Sequence, residues 1–364
     1  MSRILIAGGG TAGHVVPALA IADVLSLRGH EVTFCGTGRG MERDLVPRAG
    51  YRFAEVRIRG FTRSLGVSTL RTLGSLPLAA VDAWRLLRDL RPHCVVGVGA
   101  YASGPVVAEA AVRGTPAVAV EMDSHMGWTN RILSHLVDRV CLSFPDPARE
   151  GGKFVYTGRP MRPSLLEALR EEGLARFGLD PSRPVLLVFG GSLGAHSLNE
   201  AAVAAFARSS GPLQIIHVTG ERDYPGVARN LSSPDANPNY QAYPFLDDFP
   251  KALAVADAAV SRAGGSVAEL LARGVPSLLV PYPLAAGDHQ TKNAETVAAA
   301  GAAIVIEDTE LTPDLLVDRV KILLDPDVNL SMRKAAVGLA RPEAATRIAD
   351  VIVELASAKD GEKR

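Results

Sequence analysis

The sequence predicts an α/β protein made of two doubly wound parallel sheets, and three observations support this prediction. Short runs rich in apolar and β-branched residues alternate with helix-length segments, which is the pattern of parallel α/β structure. The length of 364 residues fits two domains, at roughly 100–200 residues per domain. Both halves open with an apolar run and a glycine-rich turn, so we expect two similar units.

Strands are expected where apolar runs end in glycine or polar turn residues. In the first half these runs are Arg3–Ala7, Glu31–Gly36, Cys94–Gly97 and Ala117–Glu121. In the second half they are Val185–Phe189, Gln214–Val218, Ala258–Ser261, 277–281 and 303–306. The proline-rich stretch 157–163 disfavours continuous helix and central strand, which predicts a linker. We therefore place the domains at 1–158 and 164–341, and a last helix at 342–356.

Composition excludes several classes of protein. The 47% hydrophobic and 21% charged content argues against intrinsic disorder. The 3 cysteines lack metal-ligand spacing, which argues against a disulfide scaffold or a zinc ribbon. The apolar run at the amino terminus is too short for a signal-peptide core, and no stretch reaches the roughly 18 apolar residues of a membrane span. We therefore expect a cytoplasmic protein.

The net charge of +0 conceals an asymmetry between the two halves. Residues 1–160 carry a net charge of +6 and the remainder carries −6, and eight arginines lie between positions 52 and 91. This excess is too modest for a dedicated nucleic-acid-binding protein. It favours an anionic membrane surface or a phosphorylated substrate.

The first glycine loop follows the first predicted strand. Gly8, Gly10 and Gly13 satisfy the G-x-G-x-x-G spacing of dinucleotide-binding sites. Such a site also uses an acidic side chain near the end of the second strand, and the stretch 32–38 contains none. A nicotinamide-dependent oxidoreductase is therefore disfavoured.

Two more glycine loops occur at 97–105 and 190–195, again after apolar runs. Glycine permits close backbone approach, and the helix that follows directs unpaired N–H groups and partial positive charge at an anion. Three such loops predict polyanionic substrates that are held by both halves of the chain.

A different set of polar residues lies in the segments 261–269 and 288–293. Glu269 falls early in an apparent helix, where it either stabilises the helix dipole or accepts the hydroxyls of a ribose. His289 and Gln290 either begin the next helix as ordinary polar residues or bind sugar hydroxyls.

In this order, these motifs resemble the MurG family of UDP-N-acetylglucosamine-dependent N-acetylglucosaminyltransferases of peptidoglycan synthesis. The similarity covers nearly the whole chain. It implies a GT-B fold, with two Rossmann-like domains separated by a cleft. It also implies an inverting transfer of N-acetylglucosamine from UDP to an undecaprenyl-diphosphate-linked muramoyl-pentapeptide, and a C-terminal helix, 342–364, that returns to the first domain.

The resemblance implies roles for particular residues. On the donor side, Glu269 would bind the ribose, Ser192 and Arg162 the diphosphate. The backbone at Phe245 and Leu246 would meet uracil, and His289 and Gln290 would hold the sugar. The acceptor and its diphosphate would meet the first two glycine loops, at Gly10, Thr11, Gly13, Tyr101 and Ser103.

The family's membrane-contacting surface lies in the first domain, which agrees with the positive charge there. We therefore expect peripheral association with the anionic inner face of the plasma membrane. The segment of Trp84, Arg85, Leu86, Leu87 and Arg88 either forms an interfacial patch or is an ordinary helix face with solvated arginines.

One segment departs from the family pattern. Glu121 is retained, but Met122 and Asp123 stand where the family commonly has Gln and Asn. These positions lie on the acceptor side, and a carboxylate there repels a diphosphate unless it is protonated or paired. The base that activates the incoming hydroxyl is His14, Glu121 or Asp123, and His14 is favoured by its pKa range and its place after a glycine loop.

No cofactor and no metal is required, because helix N-termini, Ser192 and Arg162 can neutralise the departing UDP. The alternative function is that of a related GT-B transferase with another lipid or small-molecule acceptor. A non-hydrolysing UDP-sugar epimerase and a non-enzymatic UDP-sugar-binding protein are further alternatives.

Overall fold

The structure is a computed structural model, and it describes residues 1–58, 67–149, 151–191 and 194–361. The chain divides into two compact units. Unit 1 comprises Met1–Arg162 and Pro342–Arg364, and unit 2 comprises Pro163–Arg341.

Within the described residues, unit 1 contains a sheet of seven parallel strands. They are β1 (Arg3–Ala7), β2 (Glu31–Gly36), β3 (Arg52–Glu55), β4 (Cys94–Gly97), β5 (Ala117–Glu121), β6 (Arg139–Leu142) and β7 (Phe154–Tyr156). Their order across the sheet is β3-β2-β1-β4-β5-β6-β7. The helices of this part of the chain are α1 (Ala12–Leu27), α2 (Glu42–Arg48), α3 (Val67–Leu90), α4 (Ala100–Val112) and α5 (Trp128–Leu133), with a 3-10 helix at Pro147–Arg149.

Unit 2 contains, in its described part, a sheet of six parallel strands. They are β8 (Val185–Phe189), β9 (Gln214–Val218), β10 (Tyr240–Tyr243), β11 (Ala258–Ser261), β12 (Ser277–Leu279) and β13 (Ala303–Val305), in the order β10-β9-β8-β11-β12-β13. The helices that accompany them are α6 (Pro163–Glu167), α7 (Arg170–Phe177), α8 (His196–Phe206), α9 (Tyr224–Leu231), α10 (Phe249–Val255), α11 (Ser266–Ala272), α12 (His289–Ala299), α13 (Pro313–Leu324) and α14 (Pro326–Leu339). Short 3-10 helices lie at Ala286–Asp288 and Asp308–Glu310.

The last helix, α15 (Ala344–Gly361), belongs to unit 1. Its apolar stripe, which includes Ile348 and Ile352, is fully buried in the same core cluster as Ile21 and Leu25 of α1. Burial of such side chains contributes about 1.5–3 kcal/mol each. The terminal helix therefore covers one face of the first sheet, while α3 and α4 cover the other.

The predicted class, two Rossmann-like parallel sheets, is confirmed. Every strand expected from the apolar runs is present, with the last two ending earlier, at Leu279 and Val305. The strands that were not expected, β3, β6, β7 and β10, lie at or next to the edges of their sheets. Edge strands are solvated on one side and lack the continuous apolar run of a central parallel strand. Within the described residues, no helix is long and apolar enough to cross a membrane.

Candidate functional site: two sets of loops at the carboxyl edges of the sheets

Parallel topology brings the first two glycine loops and the segment after β5 to one edge of the first sheet. Strands β1, β4 and β5 are neighbours in the order β1-β4-β5, and each is followed by one of these segments. The carboxyl ends of parallel strands lie at the same edge, which is where open α/β sheets bind ligands. Unit 1 therefore assembles the predicted acceptor-side residues from three separate stretches of sequence.

A buried carboxylate holds the first glycine loop. Glu42 is only 1% exposed, and it accepts hydrogen bonds from the Gly10 N–H at 2.7 Å, the Thr37 N–H at 3.0 Å and the Thr37 hydroxyl at 2.8 Å. Sequence analysis missed this residue. Because its oxygens are satisfied inside the protein, Glu42 is not presented to a ribose as the acid of a dinucleotide site would be.

The ring of His14 lies between the first and second glycine loops. Its Nδ1 is hydrogen-bonded to the Thr11 hydroxyl at 3.2 Å. A Cβ placed on Gly99 would lie 3.0 Å from His14 Cδ2 and 3.2 Å from Nε2, and Gly99 has a φ of +85°. Only glycine suits both that backbone conformation and that close approach. The glycine after β4 therefore makes room for the imidazole that follows the loop after β1.

Glu121 organises the segment that follows β5. One carboxylate oxygen accepts the Asp123 N–H at 3.1 Å, and the other accepts the Gly127 N–H and the Asn130 amide, both at 3.0 Å. Burial raises the pKa of Glu121, and these hydrogen bonds act in the opposite direction. The carboxylate is thus engaged with its own loop, while the half-buried Asp123 contributes its backbone N–H to that arrangement.

Arg159, which sequence analysis did not single out, links two of these segments. It is 7% exposed; its Nη2 donates to the Gly13 carbonyl at 2.6 Å and its Nη1 donates to the Met122 carbonyl. Gly13 and Arg159 are 146 residues apart in the chain, so no local pattern could reveal this bridge.

The remaining residues predicted for the acceptor lie around the same edge. Thr11 and Gly13 are exposed at the start of α1, and Tyr101 is half-buried in the first turn of α4. Ser103 is fully buried below the second loop, beside Gly97. Contact of these residues with a diphosphate remains a prediction.

In unit 2 the third glycine loop meets the end of β9. Gly194 has a φ of +73°, and a Cβ there would overlap the Thr219 carbonyl. The buried Asn199 amide donates to the same carbonyl at 2.9 Å, so the loop and the start of α8 are tied to the neighbouring strand. Ser192, the predicted diphosphate contact, lies outside the described residues.

Behind that loop lies a buried polar chain. His217 Nδ1 is hydrogen-bonded to the Tyr240 hydroxyl at 2.7 Å, and His217 Nε2 is hydrogen-bonded to Asn199 Oδ1 at 2.9 Å. The Asn199 oxygen can only accept, so His217 Nε2 carries a hydrogen and the Tyr240 hydroxyl donates to Nδ1. Burial lowers the pKa of His217 to about 3, so the ring is neutral at physiological pH.

The other predicted donor residues gather at the ends of β11 and β12. Glu269 is half-buried in the first turn of α11, and His289 begins α12. Gln290 Oε1 accepts the Tyr282 N–H at 2.9 Å, and a Cβ on Gly264 would lie 3.6 Å from Gln290 Nε2. Gln290 therefore lies against the turn that leads into the helix of Glu269.

Arg262, to which sequence analysis assigned no role, directly follows β11 at the carboxyl edge of the second sheet. Its guanidinium donates to Asp308 Oδ1 at 2.6 Å and to the Ser197 hydroxyl at 2.8 Å, and it is nearly buried. It also donates to the carbonyls of Val280 and Pro281. Arg262 therefore joins the ends of β11 and β12 to Asp308 and to the first turn of α8.

Three further donor predictions concern residues with different surroundings. Phe245 is 57% exposed after β10, and Leu246 is buried. Arg162 belongs to unit 1, where its Nε lies 3.5 Å from Asp23 Oδ2 of α1. A contact of Arg162 with the donor diphosphate remains a prediction.

Among the side chains that the structure describes, no group of three His, Cys, Asp or Glu is arranged to hold a metal ion.

The exposed face of α3 differs from the expected patch at two leucines, because the half-buried Leu86 packs against the same core as Leu87. Leu87 is buried at 2% exposure and packs in the core, so it cannot take part in a surface contact. The exposed residues, here called the α3 patch, are Leu78, Val81, Trp84, Arg85 and Arg88. Arg88 lies 4.8 Å from the centre of the Trp84 ring, so the apolar surface is flanked by positive charge.

Comparison with known proteins relates the whole chain to one family. The N-terminal domain model of glycosyltransferase family 28 matches residues 4–142 and the C-terminal domain model matches residues 185–352. A Moorella thermoacetica protein, named UDP-N-acetylglucosamine--N-acetylmuramyl-(pentapeptide) pyrophosphoryl-undecaprenol N-acetylglucosamine transferase, is 40% identical over 97% of this chain and 98% of its own.

Solved structures are similar along the same length. MurG of Acinetobacter baumannii aligns with a TM-score of 0.80 and 30% identity, over 97% of this chain and 100% of that one. A UDP-GlcNAc 2-epimerase from Neisseria meningitidis, bound to UDP-GlcNAc, aligns with a TM-score of 0.71 over 97% of this chain and 100% of that one. The epimerase is only 14% identical, so that likeness shows the fold alone.

Proposed function

The chain belongs to the MurG family of glycosyltransferases, and we propose that it transfers N-acetylglucosamine from UDP-N-acetylglucosamine to an undecaprenyl-diphosphate-linked N-acetylmuramyl-pentapeptide. The observation that carries this proposal is 40% identity to a transferase of that name over 97% of the chain. The predicted GT-B fold class is confirmed by the same comparisons. The alternative functions are compatible with the same fold, but they are not supported by a relative of 40% sequence identity.

The donor is assigned to unit 2. Glu269, half-buried in the first turn of α11, is proposed to accept both hydroxyls of the ribose, and Gln290, beside the preceding turn, is proposed to hold the sugar. The third glycine loop leads into α8, whose first N–H groups can receive the diphosphate. The other proposed contacts in unit 2 are His289, Phe245, Leu246 and Ser192. Arg162 of unit 1 is proposed as a further contact of the diphosphate.

The acceptor is assigned to unit 1, with His14 as the base. The displacement inverts the anomeric carbon: the acceptor hydroxyl oxygen forms the new bond, its proton goes to His14, and UDP leaves with the electron pair of the broken bond. For Nε2 to take that proton, Nδ1 must carry a hydrogen and donate it to Thr11 Oγ1, which fits the 3.2 Å separation. Glu121, whose oxygens already accept three N–H groups, shapes the loop of Asp123 instead of taking the proton.

Membrane association is assigned to the α3 patch. Val81 and Trp84 offer apolar surface, while Arg85 and Arg88 favour an anionic lipid surface. A lipid-linked acceptor is presented at such a surface, so we propose peripheral binding at the cytoplasmic face of the plasma membrane.

The deciding experiment measures UDP release from UDP-N-acetylglucosamine with and without a short-chain analogue of the lipid acceptor. We expect release that depends on the acceptor, together with a disaccharide product. Isomerisation of the UDP-sugar without acceptor would identify an epimerase, and tight UDP binding without turnover would identify a binding protein. Preferential transfer to a different acceptor in direct competition would identify the alternative function, a related transferase with another acceptor.

A further inference from the structure

We infer that Arg159 is a positioning residue for the acceptor: its guanidinium holds the first glycine loop and the segment after β5 in one arrangement and supplies positive charge to both. This inference rests on the proposed function and adds to it a residue that the family resemblance did not suggest.

The geometry places one side chain between two peptide groups. Arg159 Nη2 donates to the Gly13 carbonyl at 2.6 Å, and Nη1 donates to the Met122 carbonyl. Gly13 immediately precedes His14, and Met122 immediately precedes Asp123. The guanidinium therefore sets the distance between two backbone segments. One segment carries His14, the proposed base, and the other carries Asp123, where the family commonly has Asn.

The two nearby carboxylates, Glu42 and Glu121, each hold only one of the two segments that Arg159 connects. Glu42 joins the first glycine loop to the segment after β2, and Glu121 closes the segment after β5 upon itself. Arg159 joins these two assemblies to each other. Because its planar fork presents several N–H donors at fixed angles, arginine can make both bonds at once, whereas lysine offers donors from a single nitrogen.

Charge provides the second part of the argument. A guanidinium remains protonated even when it is buried, so 7% exposure does not remove its charge. An acceptor diphosphate brought to this edge would be repelled by the Asp123 carboxylate. A fixed cation bonded to the peptide just before Asp123 offsets that repulsion without entering the site itself.

The test varies the two substrates separately in initial-rate measurements on the full chain. The variants are Arg159→Gln, which removes the charge and the fork, and Arg159→Lys, which keeps the charge. The matched control is Arg3→Gln, because Arg3 also donates to two carbonyls of unit 1, those of Leu90 at 2.9 Å and Arg91 at 2.8 Å, at the opposite edge of the sheet.

We expect Arg159→Gln to raise KM for the acceptor analogue about tenfold or more and to lower kcat. KM for UDP-N-acetylglucosamine should stay within about twofold, since the Gly13 and Met122 carbonyls that accept from Arg159 belong to the proposed acceptor side. Arg159→Lys, which keeps the charge but not the fork, should recover only part of the loss, and Arg3→Gln should match the wild type. A purely structural role would not separate the two Michaelis constants or respond to the retained charge.

Several results would overturn the inference. One is an unchanged acceptor KM in folded Arg159→Gln; another is an equal loss in Arg159→Gln and Arg3→Gln. If neither Arg159 variant folds while Arg3→Gln does, Arg159 is a folding residue and the inference is wrong. Absence of acceptor-dependent transfer in the wild type would instead contradict the proposed function, so the two failures are distinguishable.

Discussion

The two units present their loops at equivalent edges but hold them by different chemistry. In unit 1, buried charged side chains bond directly to the backbone of the loops: Glu42 to Gly10, Glu121 to Asp123, and Arg159 to Gly13. In unit 2, a neutral chain of Tyr240, His217 and Asn199 lies behind the third glycine loop, and two carboxylates, Asp223 and Asp308, accept hydrogen bonds from Asn199 and from the buried Arg262.

This difference accords with separate roles for the two units, one in acceptor use and the other in donor binding. Parallel sheet topology determines at which edge the loops lie, and it does so equally in both units. The proposed acceptor and base lie at the edge of unit 1, where charged side chains bond to the loop backbone itself, and the proposed donor lies at the edge of unit 2, where the third glycine loop is tied to β9 through the neutral amide of Asn199. Variants in unit 1 should therefore alter turnover and acceptor use, and variants in unit 2 should alter donor binding.

The largest effect is expected for His14→Ala. Loss of the proposed base should lower kcat roughly 10²–10⁴-fold, which corresponds to about 3–5 kcal/mol of transition-state stabilisation. Steady-state UDP release in the presence of the acceptor analogue measures this loss. KM for the donor should change little, and a mainly donor-side effect would show that His14 is a ligand contact.

Glu269→Ala tests unit 2 in the complementary way. Removing the carboxylate that is proposed to accept the ribose hydroxyls should weaken UDP-sugar binding roughly tenfold to hundredfold, or about 1.5–3 kcal/mol. Calorimetric titration with UDP measures the change, with Glu269→Gln as the isosteric control. Unchanged affinity would remove the assigned role, and a change in acceptor KM alone would contradict the division between the units.

The neutral chain in unit 2 predicts a pH-dependent stability. Burial lowers the pKa of His217 to about 3, well below its ordinary value of 6.5. Its contribution to folding is thus complete above pH 6.5 and is lost as the pH falls from there towards 3. One such group lowers the free energy of unfolding by about 1.4 kcal/mol between pH 7.5 and pH 5.5.

Hydrogen exchange of β9 amides should detect that loss and attribute it to unit 2. Both tryptophans, Trp84 and Trp128, lie in unit 1, so their fluorescence would not report on this region. In His217→Gln the dependence between pH 7.5 and pH 5.5 should become shallower by the same amount. An identical dependence in the variant would show that His217 is not the group responsible.

The smallest effect is expected for the α3 patch. Trp84→Ala should weaken binding to vesicles that contain anionic lipid about fivefold, or about 1 kcal/mol, since the ring is already partly buried. Flotation of the protein with vesicles measures the loss. The matched control is Leu330→Ala, which removes an exposed leucine of unit 2 and should leave vesicle binding unchanged. Equal loss in both variants would contradict a specific membrane surface.

Much of the fold follows from local patterns, because the central strands are buried on both faces. The bounds of β1, β2, β4 and β5 agree with the apolar runs from which they were expected. Strand β3, by contrast, has the sequence Arg-Phe-Ala-Glu and an exposed residue at each end. No alternation or apolar run separates such an edge strand from a loop.

The site residues fall into the same two groups, those that local sequence predicts and those that only the tertiary structure brings together. The sequence itself determined the glycine loops, the positions of His14, Glu121 and Glu269, and the family, since each depends on residues close together in the chain. The tertiary structure alone decided that Glu42 is bonded to Gly10, that Arg159 reaches across to Gly13, and that Leu87 faces the core while Trp84 faces outwards. These facts depend on which distant segments the sheet brings together and on which side of a helix is covered, and neither is encoded in local spacing.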